Sequence, residues 1–144
     1  MGAVSNLLDS KGRDVFTVKP DQPVHEAIEQ MEKRSVGTAV VMDGGNVVGI
    51  ISERDVFRKV ILKGESIDDV QVQDILSGNL TTVSPETPLD ECMRIMTEKR
   101  IRHLPVLHDK VLCGIVSIGD VVKYLVVEKD FKIKNLETYI SGSM

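Results

Sequence analysis

The sequence predicts a mixed α/β (α+β) protein in which one small β-α-β-β-α unit occurs twice. The chain superposes on itself at a constant offset of 65 positions, with Phe16–Ile61 matching Thr81–Val126 without a gap. Within each copy, one segment has apolar residues at helical spacing, and the two segments after it are rich in β-forming residues. A chain of 144 residues, 42% of them apolar, can bury a full core. We therefore expect two repeats that pack together, flanked by N- and C-terminal helices.

Each copy begins with a short strand and then a helix that follows a proline. Pro23 and Pro88 are expected at the first helical position, where proline wastes no hydrogen-bond donor. Apolar residues then recur at i, i+3, i+4 and i+7, as expected for one buried stripe on each helix. They are Val24, Ala27, Ile28 and Met31 in the first copy, and Leu89, Cys92, Met93 and Met96 in the second.

A β-hairpin and a second helix complete each copy. The predicted strand pairs are Thr38–Met42 with Val47–Ser52, and His103–Leu107 with Val111–Ser117, each joined by a short polar turn. The predicted organisation is a flanking segment at 1–13, repeats at 14–62 and 81–127, a linker with a short helix at 63–80, and a C-terminal helix and tail at 128–144.

Composition disfavours several classes of protein. A net charge of −4, 3% aromatic residues and no tryptophan disfavour binding to nucleic acid. No apolar run is long enough to span a membrane and the N-terminus lacks the features of a secretory signal, so we expect a cytoplasmic protein without membrane contact. The two cysteines have neither metal-binding nor redox spacing, and no metal site is expected.

The same motif, Gly-apolar-apolar-Ser-x-x-Asp, occurs at Gly49–Asp55 and at Gly114–Asp120. A serine followed three residues later by an aspartate is typical of a helix start, in which each side chain caps the backbone of the other residue. A carboxylate in the first helical turn could also accept hydrogen bonds from both hydroxyl groups of a ribose. Ser52, Asp55, Ser117 and Asp120 are thus candidate ribose contacts, with helix capping as the alternative.

The duplicated unit, the two motifs and the strand Arg102–Val106 together resemble a tandem pair of cystathionine-β-synthase (CBS) domains, or Bateman module. The resemblance covers roughly 14–127 and is strongest to stand-alone CBS-pair proteins of bacteria and plant organelles. It implies that the repeats pack about a pseudo-twofold axis and leave two clefts for adenosine-containing ligands. AMP is the leading candidate, with ADP, ATP, NAD(H) or S-adenosylmethionine as others. A homodimer and an unidentified regulated protein are the implied partners.

The resemblance also assigns roles to individual positions. In the second copy, Ser117 and Asp120 would hold the ribose, Thr82, Val83, Ile101 and Leu104 the adenine, and Arg102 and His103 the phosphate. In the first copy, the corresponding assignments are Ser52 and Asp55 for ribose, and Thr17 and Val18 for adenine. Gly37 and Thr38 replace the basic pair there, so a phosphate would depend on Arg54 or Arg58. The second copy is therefore the better equipped.

The function expected from the sequence is a ligand-sensing regulatory module without catalytic residues. One alternative is an interaction scaffold in which the Ser-x-x-Asp motifs are only helix caps. Another is an enzyme acting on a nucleotide through His103 and Asp120. The absence of a phosphate-binding loop, a metal cluster or a nucleophile-base spacing disfavours the enzyme.

Overall fold

The computed structural model describes residues 2–78 and 80–141. The described chain divides into two compact units. The first-copy unit comprises Asp14–Thr82 and Leu107–Cys113. The second-copy unit comprises the described residues of Met1–Arg13, Val83–Val106 and Gly114–Met144. The predicted mixture of helices and short strands is confirmed.

The first-copy unit contains a three-stranded sheet. Its elements are β1 (Thr17–Val18), α2 (Val24–Arg34), β2 (Thr38–Asp43), β3 (Asn46–Ser52), α3 (Glu53–Val56), a π-helical segment (Phe57–Ile61) and α4 (Val72–Ile75). Strand β2 is central, with β1 parallel and β3 antiparallel to it. The core of the unit lies between this sheet and the apolar stripe of α2, where Val24, Ala27 and Met31 are buried as predicted.

The second-copy unit repeats most of this pattern. It contains α1 (Val4–Lys11), α5 (Leu89–Lys99), the parts of β4 (His103–His108) and β5 (Val111–Ser117) outside Leu107–Cys113, and α6 (Ile118–Ser141). The counterpart of β1 is reduced to a single parallel bridge between Val83 and Val106. Leu89, Cys92 and Met96 are buried on α5, which confirms the predicted stripe.

Helices α2 and α5 each begin one residue later than predicted, so that the preceding proline lies outside the helix. Pro23 and Pro88 are N-caps, because their ψ angles of 141° and 146° are extended and not helical. The helices therefore begin at Val24 and Leu89. No side chain caps either helix start; the hydroxyl of Thr87 instead accepts a hydrogen bond from the backbone N–H of Ser84, at 3.0 Å.

The sequence suggested a separate helix for the C-terminal segment, and the structure contradicts this prediction. This segment continues the second helix of the second copy, so that α6 is one helix of 24 residues. The sequence explains the difference between the copies. In the first copy, Gly64 adopts a left-handed φ of 77° soon after the π-helical segment, whereas Lys129 is the equivalent residue in α6. The predicted tail at 142–144 lies outside the described residues.

The N-terminal segment, which precedes the first copy in sequence, packs against the second copy. The linker, which precedes the second copy, packs against the first. In the second-copy unit, Ala3 bridges Pro88, and the N–H of Leu89 donates to the carbonyl of Gly2 at 2.9 Å. In the first-copy unit, Gln71 bridges Pro23, and the N–H of Val24 donates to the carbonyl of Val70 at 2.9 Å. Helices α1 and α4 are therefore structural equivalents. The predicted domain boundaries follow the sequence repeat and stay a prediction.

None of the described helices combines the length and the apolar character needed to cross a membrane.

Candidate functional site

The start of α6 fixes the position of the Asp120 carboxylate. The N–H of Ser117 donates to Asp120 Oδ2 at 3.0 Å, and the N–H of Asp120 donates to Ser117 Oγ at 3.0 Å. The N–H of Ile118 also donates to the carbonyl of Arg102 at 3.0 Å, which ties the helix start to the residue before β4. This reciprocal cap holds the carboxylate in the first helical turn, as the motif predicts.

Lys11, at the end of α1, reaches the same carboxylate. Its Nζ lies 2.5 Å from Asp120 Oδ2 and donates to the carbonyl of Ile115 at 2.7 Å. Partial burial raises the pKa of Asp120, but the hydrogen bonds from Lys11 and Ser117 outweigh it, so the pKa lies below its usual value. Asp120 is therefore an ionised acceptor at neutral pH. The contacts from Lys11 and Ser117 both fall on Oδ2 of this carboxylate.

His103 lies beside this charged group and is half-buried. Burial lowers its pKa, the charge of Asp120 opposes that effect, and the charges of Lys11 and Arg102 add to it. The net result is a pKa below 6.5, so the imidazole is neutral at pH 7. Arg102 is exposed. We call Lys11, Arg102, His103, Ser117 and Asp120 the second-copy cluster.

The residues assigned to adenine in the second copy differ in exposure. The side chains of Val83 and Leu104 are buried, and the N–H of Val83 donates to the carbonyl of Pro105 at 3.0 Å. Thr82 and Ile101 are only partly buried. Val83 and Leu104 thus contribute to the core, while Thr82 and Ile101 retain accessible surface. Their contact with adenine stays a prediction.

The first copy has the same cap around Asp55. The N–H of Ser52 donates to Asp55 Oδ2 at 2.9 Å, and the N–H of Asp55 donates to Ser52 Oγ at 3.2 Å. The neighbouring cation is Lys59, whose Nζ lies 3.4 Å from Asp55 Oδ1 and donates to the carbonyl of Ile75 at 3.0 Å. Arg54 and Arg58, the residues considered for phosphate, are exposed.

Thr17 and Val18 lie across β2 from the Ser52 end of β3. Thr17 is opposite Val40, whereas Ser52 is opposite Thr38, two residues away on the same strand. The side chain of Val18 is buried. Thr17 and Val18 also line a wide cavity of about 1090 Å³, and neither Ser52 nor Asp55 lines it. The sheet therefore brings these residues near one another without placing them around one cavity.

The second-copy unit contains a smaller cavity between α1 and α6, which we call the α1/α6 cavity. Its volume is about 500 Å³, within the usual range for small-ligand sites. Lys11 and Leu7 of α1 line one side, and Asp120, Lys123, Tyr124 and Glu128 line the other. Of the residues predicted to bind ligand, only Asp120 lines this cavity.

The sequence reasoning missed Lys11 and Lys59, the two lysines at the aspartates. A second repeat, at an offset of 68 positions, was the available signal for α1: Val4, Leu7 and Leu8 match Val72, Ile75 and Leu76. That match would have placed α1 against the second copy. Lys59 lies one helical turn after Asp55, a spacing that itself suggests an ion pair.

No three His, Cys, Asp or Glu side chains in the described part of the chain are placed to share a metal ion.

Comparison with known proteins places these features in a family. A family profile described as "CBS domain" matches residues 8–62 and 72–127. The chain is 39% identical over 148 residues to the mitochondrial CBS domain-containing protein CBSX3 of Arabidopsis thaliana, covering 96% of this chain and 72% of that protein. The cytoplasmic location expected from the sequence stays a prediction.

Two solved structures are similar. One is a putative signal-transduction protein with CBS domains from Burkholderia ambifaria MC40-6, with 39% identity, a TM-score of 0.83, and coverage of 87% of this chain and 94% of that one. The other is the CBS domain pair of protein MJ0100 in complex with 5′-methylthioadenosine and S-adenosyl-L-methionine. Its identity of 22% and TM-score of 0.78, over 89% of this chain and 98% of that one, show a shared fold.

Proposed function

This chain belongs to the CBS domain family as a CBS-pair regulatory module, and we propose that its second copy binds an adenosine-containing nucleotide, with AMP as the leading candidate. Binding is proposed to change the conformation of the module, and a partner protein would respond to that change. A ligand can drive such a change only through different affinities for the two conformations.

The observation that carries the proposal is the ionised Asp120 carboxylate in the first turn of α6, with basic groups around it. A carboxylate only accepts hydrogen bonds, so it suits the two hydroxyl donors of a ribose and repels a phosphate. Arg102 and Lys11 supply positive charge beside it. A ligand that combines a diol with an anionic group matches this arrangement, and a nucleotide is such a ligand.

The neighbour MJ0100 supports the ligand class. Both molecules named in its complex contain adenosine, and its CBS pair has the same fold as this chain. The support extends to adenosine-containing ligands in general. The preference for AMP rests on the basic residues of the second-copy cluster.

The first copy is proposed as the weaker site. Asp55 carries the same cap, but Gly37 and Thr38 stand where the second copy has Arg102 and His103. Lys59 is the nearby cation, and it also binds the carbonyl of Ile75.

We further propose that the chain forms a homodimer through helix surfaces that both copies expose. Three apolar positions at the constant offset of 65 are exposed in each copy. They are Phe57, Ile61 and Leu62 in the first copy, and Val122, Val126 and Val127 in the second, with exposed fractions of 49–66%. Exposed apolar side chains that recur in this way are typical of an interface between protein molecules. A twofold dimer would bury them.

Isothermal titration calorimetry with AMP, ATP, NADH and S-adenosylmethionine tests the proposed ligand class. We expect saturable binding of at least one of them, weakened strongly by Asp120→Ala. Absence of binding by all four at millimolar concentration would contradict the proposal and favour the scaffold. Chromatography of each mixture after prolonged incubation checks the remaining alternative, since conversion of the nucleotide would favour an enzyme.

A further inference from the structure

We propose that the α1/α6 cavity receives the anionic group of the bound nucleotide, that Lys11 and Lys123 are its contacts there, and that the cavity selects a single phosphate over a triphosphate. This inference rests on the proposed nucleotide binding at Asp120. It assigns a ligand-binding role to α1, which lies outside the repeated β-α-β-β-α unit.

The cavity is continuous with the proposed ribose site because Asp120 lines it. Asp120, Tyr124 and Glu128 follow one another on a single face of α6 at spacings of four residues, and Lys123 lies beside Tyr124, three residues after Asp120. At 1.5 Å per residue, Asp120 and Glu128 are about 12 Å apart along the helix axis. A ligand whose diol is held at Asp120 can therefore extend along α6 past Lys123.

Charge along this face alternates in a way that suits one anionic group. Asp120 is negative at the ribose end, Lys123 is positive one turn later, and Lys11 contributes a second ammonium group from α1. Glu128, two turns after Asp120, is negative again. A phosphate near Lys11 and Lys123 would lie between the two carboxylates. A longer phosphate chain that continued along α6 would approach Glu128 and be repelled.

The environment of Glu128 favours the repulsion of a longer phosphate chain. Its Oε2 is buried and accepts no hydrogen bond from the described residues. Its Oε1 is 3.4 Å from Lys132 Nζ. Lys132 offsets part of the Glu128 charge through Oε1, but the buried Oε2 has no hydrogen-bond donor among the described residues, so a further anion beside Oε2 would be opposed.

Lys11 can serve the phosphate without leaving Asp120 uncompensated. In this structure its ammonium group bonds Asp120 Oδ2 and the carbonyl of Ile115. The bonds from Lys11 and Ser117 reach Oδ2, and the diol would donate to Oδ1. An ammonium group carries three donor hydrogens, so the third remains for a phosphate oxygen.

The test compares AMP with adenosine, which differ only in the phosphate, by calorimetry on the full chain. The variants are Lys11→Gln and Lys123→Gln, with Lys11→Arg retaining the charge. Lys59→Gln is the matched control, because it removes the cation beside the equivalent aspartate of the first copy. We expect each cavity variant to weaken AMP binding about fivefold or more and to leave adenosine binding within about twofold. Lys11→Arg and Lys59→Gln should stay close to wild type.

Several results would overturn the inference. Equal weakening of AMP and adenosine by Lys11→Gln would mean that Lys11 only positions Asp120. Tighter adenosine binding in that variant would mean that Lys11 competes with the ribose. Unchanged AMP binding in both cavity variants would place the phosphate elsewhere. All three leave the proposed nucleotide binding intact. If wild-type protein binds neither compound, the proposed function itself fails and this inference fails with it.

Glu128→Gln tests the selection of one phosphate. We expect this variant to raise the affinity for ATP relative to AMP, because the opposing charge is gone. An unchanged ratio would contradict the role of Glu128. Circular dichroism and the thermal midpoint of each variant report whether the fold is retained.

Discussion

Leu8 packs directly against Gly114, leaving no room for a side chain: a Cβ atom there would lie 2.8 Å from Leu8 Cδ1. Gly49 has the same relation to Leu76, with 2.8 Å to its Cδ1, and a Cβ would also lie 2.7 Å from the carbonyl oxygen of Ser77. Neither glycine has a positive φ angle. The glycine of the repeated motif therefore serves close packing by α1 and by the α4 segment.

The two glycines should differ in their tolerance of alanine. Gly49→Ala meets a backbone carbonyl held in place by the hydrogen bond from Ser77 N–H to Ile50 O at 2.9 Å. Gly114→Ala meets only the end of a leucine side chain, which can rotate. We expect Gly49→Ala to lower the free energy of unfolding by about 1–3 kcal/mol, and Gly114→Ala by less.

Urea unfolding measures both changes. Gly45→Ala is the control, because nothing lies within 4 Å of its Cβ position and its φ is not positive. A larger loss for Gly114→Ala than for Gly49→Ala would contradict this account of the packing.

The two motif aspartates should contribute unequally to ligand binding. We expect Asp120→Ala to weaken AMP binding by about 1–3 kcal/mol, because charge-assisted hydrogen bonds to the ribose are lost. Asp55→Ala removes an equivalent helix cap in the first copy and should weaken binding less. Calorimetry measures both affinities, and Asp120→Asn separates loss of charge from loss of the cap. Equal effects of the two alanine variants would contradict a stronger second site.

The sequence predicted those elements whose causes are local. Hairpin strands, helix stripes and the cap formed by Ser117 and Asp120 depend on spacing within short segments, and the structure confirms them. The helix starts were misplaced by one residue, since proline tolerates both the N-cap and the first helical position. Continuity of α6 was missed because the boundary was placed where the sequence repeat ends, although no helix-breaking residue lies between Val121 and Ser141.

The approach of Lys11 to Asp120 could not be predicted because it depends on tertiary packing. The two residues are separated by 109 positions. Their proximity follows from the burial of Val4, Leu7 and Leu8 in the second-copy unit. The match of this segment to Val72, Ile75 and Leu76 indicates the copy against which α1 packs, but it does not identify the residue that Lys11 contacts.

The exposed apolar helix positions should control the oligomeric state. Val122→Glu and Phe57→Glu each place a charge on the proposed dimer surface, at positions 49% and 56% exposed. We expect either variant to shift the protein toward monomer at micromolar concentration, because burial of an unpaired charge opposes association. Sedimentation velocity measures the shift. Val111→Glu is the control, since Val111 is 63% exposed but belongs to the hairpin. Monomeric wild-type protein would contradict the proposed dimer.

His103 should make nucleotide affinity depend on pH. Burial and the charges of Lys11 and Arg102 outweigh Asp120 and hold its pKa below 6.5, so the free protein carries a neutral imidazole at pH 7. A phosphate held at Lys11, whose charge already acts on the ring, would favour the protonated form, and binding would then take up a proton. AMP affinity should therefore increase as the pH falls from 8 toward 6. The phosphate itself titrates near pH 6, so the relevant comparison is with His103→Gln, in which only the ligand titrates.

The same lowered pKa has the opposite effect on the stability of the free protein. A histidine whose folded-state pKa is depressed stabilises the fold above its unfolded pKa of about 6.5, and this contribution is lost as the pH falls toward the folded value. Acidification should thus lower the urea midpoint of the free protein more in wild type than in His103→Gln, while it raises AMP affinity more in wild type. Calorimetry and urea unfolding over the same pH range measure the two trends. An AMP affinity whose pH dependence is unchanged in His103→Gln would show that the bound phosphate does not shift the pKa of His103, because no other group changes between the two proteins.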